Sequence, residues 1–322
     1  MVKVAVVEGD GIGREVVPVA RDILAAVRPD IEFFDVEVGY DRWERTGSAC
    51  DEETIAALRS ADAILFGAIT TPPDPGYRSV LVQIRRALDL YANVRPIRGE
   101  GVDVVIVREN TEGLYSGIGW TEPDRACTVR VVSRRGSERI ARYACTLAKS
   151  RRHLTVGNKA NVLKSDCLFV EVCTAEAARA GVPCTFCYID ALCLDLLMHP
   201  DRYDVIVTTN IFGDILSDAA AYLVGGLGLL PSANIGEGHA LFEPVHGSAP
   251  DIAGKNVANP IAAIQSAAML LEHLGDPASA AVVEEAVDRV LRAGIRTPDL
   301  GGAAGTREFG AAVLREVGRG KA

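Results

Sequence analysis

Residues 203–218 read YDVIVTTNIFGDILSD and join a short apolar run to a segment that carries two aspartates. The run 205–207 is β-branched and far too short to span a membrane, which predicts a buried strand. Asp214 and Asp218 are four residues apart, so a helix would place both carboxylates on one face. Such a pair can be a solvated acidic face, or it can hold a hard cation such as Mg2+. Because ligands of open α/β sheets bind where strands end, the position favours a metal.

Composition limits the class of protein. The 322 residues are enough for two domains or one large α/β domain, and 48% hydrophobic with 24% charged residues is typical of a globular chain. The net charge of −9 argues against a nucleic-acid partner. No apolar stretch approaches a membrane helix, and the N-terminus lacks the layout of a signal peptide. We therefore expect a cytoplasmic protein without a membrane partner.

The eight cysteines do not form a recognisable metal motif. Cys184 and Cys187 make a C-x-x-C, but no second pair stands at zinc spacing. Most of the cysteines lie in apolar runs, which predicts small buried hydrophobic residues rather than ligands or redox groups.

Strand-like and helix-like segments alternate along the chain, which predicts an α/β architecture. The first strand runs into Gly9, Gly11 and Gly13, whose G-x-G-x-G spacing differs from the G-x-G-x-x-G of dinucleotide-binding turns. Strands are predicted at 2–8, 31–38, 63–66, 102–107, 129–133, 153–156, 184–189 and 205–207, and helices at 52–60, 80–88, 138–149, 165–179 and 261–274.

Charged and polar residues follow several of the predicted strands. Arg108 with Tyr115, Lys159 with Asn161, and Asp190 all stand at such ends. Each has an ordinary alternative: Lys159 can be a surface lysine, Tyr115 a core aromatic, and Asp190 a helix N-cap. Their joint placement at strand ends favours one functional site.

Several longer motifs resemble the β-decarboxylating 2-hydroxyacid dehydrogenases, the family of the isopropylmalate, isocitrate and homoisocitrate enzymes. The resemblance runs nearly end to end, and with RTPDLGG at 296–302 it is closest to the homoisocitrate members. It implies an α/β fold of two domains with a central cleft, distinct from the Rossmann fold. The motifs are GDGIG at 9–13, LDLYANVRP at 88–96, VRENTEGLY at 107–115, NKANVLK at 158–164, NIFGDILSD at 210–218 and HGSAPDIAGK at 246–255.

The resemblance also implies a domain division. A discontinuous cofactor-binding domain would comprise 1–94 plus 237–322. The inserted segment 95–236 would carry the substrate and metal sites and the dimer contacts. A homodimer would share residues between its active sites.

The resemblance assigns catalytic and metal-binding roles. Asp214 and Asp218, with Asp190 of the partner subunit, would hold Mg2+ or Mn2+. Lys159 of the partner subunit would take the proton of the substrate hydroxyl, and Tyr115 would help to protonate the product of decarboxylation.

Substrate-binding roles follow in the same way. Arg85, Arg95 and Arg108 would clamp the carboxylates of a malate, which suits the planar guanidinium fork. Asn161 would also contact the substrate, a hydroxy-di- or tricarboxylate.

The cofactor region implied by the resemblance is the segment from 246 to 259. Asp251 follows Ala-Pro, and a carboxylate there accepts hydrogen bonds from a ribose 2′-hydroxyl but repels a 2′-phosphate, which predicts NAD. The implied residues are His246, Gly247, Ser248, Ala249, Asp251 and Asn259.

The substituent at C3 of the malate, here called its tail, would be recognised by the residues before Arg85. Arg78 and Ser79 predict an anionic tail, as in isocitrate or homoisocitrate, although Val82 stands where we expect an arginine in the homoisocitrate enzymes. A phosphonomethyl malate, isopropylmalate and tartrate remain alternatives. A non-catalytic regulatory subunit is an alternative of another class.

Overall fold

The computed structural model describes residues 1–74 and 76–319. In this part of the chain none of the helices is both long and apolar enough to cross a membrane. The strands are β1 (Val2–Gly9), β2 (Ile31–Asp35), β3 (Ala63–Ala68), β4 (Ala92–Gly99), β5 (Val102–Glu109), β6 (Gly119–Glu122), β7 (Arg125–Thr128), β8 (Leu154–Asn158), β9 (Cys184–Tyr188), β10 (Val205–Thr208), β11 (Pro231–Ile235) and β12 (Ala240–Pro244). The α-helices are α1 (Gly13–Val27), α2 (Tyr40–Thr46), α3 (Glu52–Arg59), α4 (Val80–Ala87), α5 (Arg134–Ala148), α6 (Lys164–Ala180), α7 (Ile189–Met198), α8 (Asn210–Ala220), α9 (Ile261–His273), α10 (Pro277–Arg292) and α11 (Thr306–Arg319).

The α/β class predicted from the sequence is confirmed, and the chain divides into two compact units. The first comprises Met1–Leu88, Leu227–Ala233 and Glu237–Ala322, and the second comprises Asp89–Gly226 and Asn234–Gly236. The division into 1–94 plus 237–322 and 95–236 that the resemblance implies stays a prediction. The roles that the resemblance gives to the two domains stay predictions.

In the first unit a parallel sheet has the strand order β2-β1-β3-β12. The register joins Val6 of β1 to Asp35 of β2 and to Leu65 of β3. Residues 4–7 and 63–66 are almost fully buried, as expected for parallel strands that are covered on both faces. Helices α1, α9, α10 and α11 pack together in the same unit.

The GDGIG turn is fixed by backbone geometry and by one buried carboxylate. Gly9 and Gly11 have φ values of 72° and 54°, which favour glycine. Asp10 is 2% exposed and accepts backbone hydrogen bonds from Tyr40 at 2.9 Å and from Thr70 at 2.9 Å. The turn after β1 therefore holds the loops before α2 and after β3.

The second unit is built on strands β4-β5-β10-β8-β9. β4 runs antiparallel to β5, and β5, β10, β8 and β9 are parallel. The register pairs Thr208 with Arg108 on one side and with Gly157 on the other. The carboxyl ends of these strands thus lie at one edge, where the motifs that follow them meet.

Some elements differ from the sequence predictions. The predicted strand at 129–133 is wrong, because only an isolated bridge joins Val131 to Gly113. The short helix α2 and the antiparallel hairpin β6–β7 were missed, since neither buries an apolar face that would give a periodic pattern. The buried strand β12 was not among the predicted strands either.

Gly9→Ala tests the close packing of the first turn, with Gly47→Ala as the matched control. Both glycines have positive φ, at 72° and 76°. A Cβ on Gly9 would lie 2.1 Å from the carbonyl oxygen of Ala68, whereas one on Gly47 would have no atom of residues 1–74 or 76–319 within 4 Å. Gly47→Ala should cost about 1–2 kcal/mol of unfolding free energy from strain alone. Gly9→Ala should cost about 1–3 kcal/mol more.

Urea unfolding followed by circular dichroism measures both variants. Equal losses in the two variants would show that the contact with Ala68 does not constrain the turn.

Candidate active site

A buried arginine at the end of β5 is the centre of the site in the second unit. Arg108 is 1% exposed, and its guanidinium forms an ion pair with Asp214 on α8. Its Nε and Nη2 donate to the Oδ1 of Asn210, at 3.0 and 2.7 Å. Since a buried charge must be paired and hydrogen-bonded, Arg108 fixes the first turns of α8 against β5.

Gly213 allows that approach. A Cβ at this position would lie 2.6 Å from the Cβ of Arg108 and 2.7 Å from its Cγ. Any larger side chain would push α8 away from the strand. The glycine within NIFGDILSD is therefore explained by close helix–strand packing.

Arg95 on β4 bridges the two aspartates. Its Nη2 lies 3.3 Å from Asp214, and its Nη1 lies 3.3 Å from Asp218 and donates to the Ser217 Oγ at 2.6 Å. Its Nε donates to the Asn93 Oδ1 at 2.7 Å. The structure thus brings Arg95 and Arg108 together on the predicted metal-binding carboxylates.

Tyr115 joins the same cluster from a one-turn 3-10 helix at Leu114–Ser116. Its hydroxyl donates to the Oδ2 of Asp214 at 2.8 Å, and its ring centroid lies 5.3 Å from the guanidinium carbon of Arg108. Burial, followed by the charge of Asp214, raises the pKa of the phenol. Tyr115 is therefore a neutral proton donor at neutral pH, and the core-aromatic alternative does not describe it.

Asp218 extends from the same helix face toward solvent, with its side chain 54% exposed. Burial of the carboxyl group and the charge of Asp214 raise its pKa, against the opposing effect of Arg95. Two carboxylates held side by side supply hard oxygen donors, and a cation between them would relieve their repulsion. The pair fits a divalent metal on this chemistry.

Asp190 lies elsewhere in the unit. It stands in the first turn of α7, whose N-cap is Tyr188, so the N-cap alternative for Asp190 is wrong. Its carboxylate accepts a hydrogen bond from the Nζ of Lys159 at 2.6 Å, and Lys159 lowers its pKa. Among residues 1–74 and 76–319, no three His, Cys, Asp or Glu side chains converge as a metal site within one chain.

Lys159 begins the turn between β8 and α6. Its backbone N–H donates to the buried Asp166 at 2.7 Å, and its Nζ lies 6.0 Å from the ring centroid of Tyr188. Asn161 is exposed in the same turn. The lysine is thus fixed at its backbone, and its side chain pairs with Asp190.

The third predicted arginine belongs to the first unit. Arg85 on α4 is 5% exposed and forms a buried ion pair with Glu243 on β12, at 3.0 Å. Ser79 is the N-cap of α4 and makes no side-chain capping bond, and Arg78 before it is exposed.

The segment 246–251 packs against the GDGIG turn within the first unit. The carbonyl oxygen of Ser248 accepts from the N–H of Ile12 at 2.9 Å, and its hydroxyl lies 2.7 Å from that of Thr70. Ala249 has a φ of 39°, a left-handed conformation that is uncommon for alanine. The loop after β12 is therefore held in one shape by the turn after β1.

His246 and Gly247 begin this loop. The Nδ1 of His246 lies 2.9 Å from the Gly247 carbonyl oxygen. Its Nε2 is buried without a hydrogen-bond partner among the described residues. Burial lowers the pKa of the imidazole, which is thus neutral at neutral pH.

Asp251 and Asn259 differ in their availability to a ligand. Asp251 is exposed, and its backbone carbonyl accepts from the Nζ of Lys255 at 2.7 Å. Asn259 is buried and uses both ends of its amide, donating to Asp299 at 2.9 Å and accepting from the N–H of Ile261 at 3.0 Å. A cavity of about 540 Å3 lies beside the loop and is lined in part by Asp10, Gly11, Thr70, Pro250, Ala253 and Gly254.

The cysteines are less buried than expected. Only Cys145 and Cys173 of the eight are buried, while Cys167 is exposed and the others are half-buried. All eight are free thiols. Cys184 and Cys187 lie in the strand β9, as predicted.

Sequence reasoning missed the polar residues that orient the charged ones. Asn210 and Ser217 contact the arginines, and Glu109 is buried and accepts from the N–H groups of Thr111 and Glu112 at 2.9 and 2.8 Å. Ser217 stands next to Asp218 and Glu109 next to Arg108 in the same motifs, and these neighbours could have indicated a role. Asn210 has no charged neighbour in the sequence.

The fold is α/β, and the cluster combines two buried arginines, a pair of aspartates and a neutral phenol. The chain belongs to the isocitrate/isopropylmalate dehydrogenase family, whose model matches residues 3–313. The family identified from the motifs is thereby confirmed, as is its class of β-decarboxylating oxidoreductases.

Similar proteins carry different substrate names. The isocitrate/homoisocitrate dehydrogenase of Thermus thermophilus is 49% identical over 330 residues, covering 98% of each chain. The 3-isopropylmalate dehydrogenase of Archaeoglobus fulgidus is 48% identical, covering 96% of this chain and 97% of the relative. The crystal structure of isocitrate dehydrogenase from Methylococcus capsulatus superposes with a TM-score of 0.95 at 43% identity, covering 98% of this chain and 99% of the other.

Proposed function

We propose that this chain catalyses the NAD-dependent and divalent-metal-dependent oxidative decarboxylation of a 3-substituted malate with an anionic tail. The substrate would be of the isocitrate or homoisocitrate type, and the products a 2-oxo acid and CO2. The observation that carries the proposal is the cluster in which Arg95, Arg108 and Tyr115 all contact Asp214. It combines carboxylate-binding groups, oxygen ligands for a cation and a proton donor.

Asp214 and Asp218 would hold Mg2+ or Mn2+, together with Asp190 of the partner subunit. The adjacent carboxylates support this assignment, because a cation would stabilise charges that repel each other. When bound, the cation would act as a Lewis acid on the oxygens of the substrate.

The chain's own residues would supply binding and proton transfer. Arg95 and Arg108 would bind substrate carboxylates, a task to which the guanidinium fork is suited. We also assign substrate contacts to Arg85 and Asn161. Lys159 of the partner subunit would accept the proton of the 2-hydroxyl group as a general base.

Tyr115 would act after CO2 has left. Its phenol is neutral and already donates to Asp214, which supports a role in protonating the carbon that loses CO2. The combined presence of Tyr115 and Lys159 with the aspartates argues against a non-catalytic regulatory subunit.

The loop from His246 to Asp251, with Asn259, would bind the cofactor. Two observations support a polar ligand at this loop: the buried Nε2 of His246 has no partner among the described residues, and Pro250, Ala253 and Gly254 line a cavity. Asn259 would act by holding the loop, since its amide is occupied by Asp299 and Ile261. NAD, when bound, would accept the hydride from C2 of the substrate.

A homodimer with shared sites is part of the proposal. Exposed apolar side chains on β9, α7 and α8 include Phe186, Leu194, Met198 and Ile215, each about 60% exposed. Clustered exposed apolar residues are typical of a protein interface. Asp190 lies on α7, so the same interface would carry it into the neighbouring site.

Substrate choice rests on the start of α4. The exposed Arg78 and the uncapped hydroxyl of Ser79 support an anionic tail, whether carboxylate or phosphonate. Isopropylmalate is the second candidate, because Leu81 and Val82 are half-exposed apolar residues in the same helix and a close relative carries that name. Tartrate, which lacks a tail, is a weaker alternative.

A substrate panel tests the function. With NAD and Mg2+, the purified protein is assayed on isocitrate, homoisocitrate, isopropylmalate, phosphonomethyl malate, tartrate and malate, following NADH and CO2. We expect an anionic-tail substrate to exceed isopropylmalate in kcat/KM by about 10-fold or more, because only an anionic tail can accept from Arg78 and a hydrogen bond to a charged group contributes about 1.5–3 kcal/mol.

Arg78→Leu provides the control. It should lower kcat/KM for the acidic substrate and leave that for malate unchanged. A wild-type preference for isopropylmalate would refute the anionic tail but not the reaction class.

The cofactor prediction concerns Asp251. NAD should exceed NADP in kcat/KM by about 100-fold, because a carboxylate that accepts from a ribose hydroxyl repels a phosphate in its place. Asp251→Asn should weaken NAD use and narrow this ratio, while Glu272→Gln, an exposed acid on α9, should change neither. Equal use of both cofactors by the wild type would contradict the role of Asp251.

A further inference from the structure

Arg130 connects two elements of the second unit that the proposed mechanism uses. It lies between β7 and α5, and its side chain is 11% exposed. Its Nη1 donates to the Ser165 Oγ at 2.7 Å and forms an ion pair with Asp166, both in the first turn of α6. Its Nη2 donates to the Thr209 Oγ1 at 2.8 Å, at the start of α8.

Asp166 contacts both Arg130 and the backbone of Lys159. The side chain of Asp166 is fully buried, and its Oδ2 accepts the backbone N–H of Lys159 at 2.7 Å. Burying a charged group without a partner is costly, so a fully buried carboxylate is normally paired with a positive group. Arg130 supplies that partner and so fixes the point at which the turn with the lysine leaves β8.

Thr209 carries the contact to α8. It is the N-cap of that helix, and its side chain makes no capping hydrogen bond of its own. The guanidinium of Arg130 also lies 5.0 Å from the ring centroid of Phe212, one turn along the same helix. The helix then presents Asp214 and Asp218, so its start is tied to the turn that carries Lys159.

We infer that Arg130 is a positioning residue for the reaction: it holds the turn of Lys159 and the start of α8 at a fixed separation through Asp166 and Thr209. The inference rests on the proposed roles of Lys159, Asp214 and Asp218. The guanidinium presents donors from two separate nitrogens of a rigid fork, so Nη1 faces Ser165 and Asp166 while Nη2 faces Thr209. A lysine presents all of its donors from one nitrogen on a flexible stem and would not span the same acceptors. In a dimer with shared sites, Lys159 would serve the active site of the partner subunit, whereas α8 would serve that of its own subunit. Arg130 would then connect the two active sites.

Arg130→Met tests the inference by separating kcat from KM. Displacing a reacting group by about 1 Å costs about 100-fold in rate, so kcat should fall by this order. The KM values for the hydroxy acid and NAD should stay within about 3-fold, because Arg130 contacts neither ligand in this account. Arg130→Lys, which can pair with Asp166 but not also bridge to Thr209, should restore part of kcat.

Arg151→Met is the matched structural control. Arg151 is 18% exposed and pairs with the buried Asp204 at 2.6 Å. Asp204 accepts the backbone N–H of His153 at 3.3 Å, as Asp166 accepts that of Lys159, but at the opposite ends of β8 and β10. This variant should lose thermal stability as Arg130→Met does, with kcat within about 2-fold of wild type.

If Arg130→Met does not fold, Thr209→Val and Thr209→Ser test the contact between Arg130 and α8 instead. The valine removes the acceptor on α8 and leaves Asp166 paired, so kcat should fall by about 3–10-fold, whereas the serine should retain kcat. Equal effects of Arg130→Met and Arg151→Met on kcat, or an unchanged kcat in both Arg130→Lys and Thr209→Val, would overturn the positioning role.

Lys159→Met distinguishes this inference from the proposed function. If that variant keeps its turnover, the base assignment fails, whatever the Arg130 variants do. If it is inactive while Arg130→Met retains the wild-type kcat, only the positioning role is overturned.

Discussion

The second unit depends on the ion pair between Arg108 and Asp214. A guanidinium that is 1% exposed at the end of a central strand has to be compensated, and α8 brings both the carboxylate and the amide of Asn210 to do so. Gly213 is the residue that lets the helix come close enough. Arg95 and Tyr115 then converge on the same carboxylate, so one buried charge sets the position of the whole cluster.

The arginines in this cluster hold the two aspartates in place, and they are also the groups proposed to bind the substrate. Without them, Asp214 and Asp218 would repel each other on one helix face. With them, the carboxylates are held in place while the side chain of Asp218 still reaches solvent. The oxygens of Asp218 are thus open to a cation, and the arginines that neutralise the pair are the groups proposed to bind the substrate. Arg130 repeats this principle next to Lys159, where the buried Asp166 orients the backbone of the proposed base.

Much of this arrangement could be predicted from the sequence. The spacing of apolar residues and the polar residues that follow each strand can both be recognised within a short stretch of the chain. The strand at 205–208 and the helix that follows it were predicted from an apolar run and an i,i+4 aspartate pair. Such local patterns do not reveal whether Arg85 lies close to Arg95 and Arg108. The structure puts Arg85 against Glu243 in the first unit, a contact between residues far apart in sequence. The orienting role of Asp166 likewise depends on tertiary contacts that no spacing rule reveals. The helix α2 and the hairpin β6–β7 were missed because both are short and lack a buried apolar face.

Binding of Mn2+ in the presence of a hydroxy acid and in the absence of NAD tests the central claim most directly. Electron paramagnetic resonance counts the bound ions in wild type, Asp214→Asn, Asp218→Asn and the control Asp201→Asn, an exposed acid of the same unit. We predict one ion per protomer in the wild type and the control, and affinity weakened by about 10-fold or more in each of the other variants. Unchanged Mn2+ affinity in Asp214→Asn and Asp218→Asn would contradict the account.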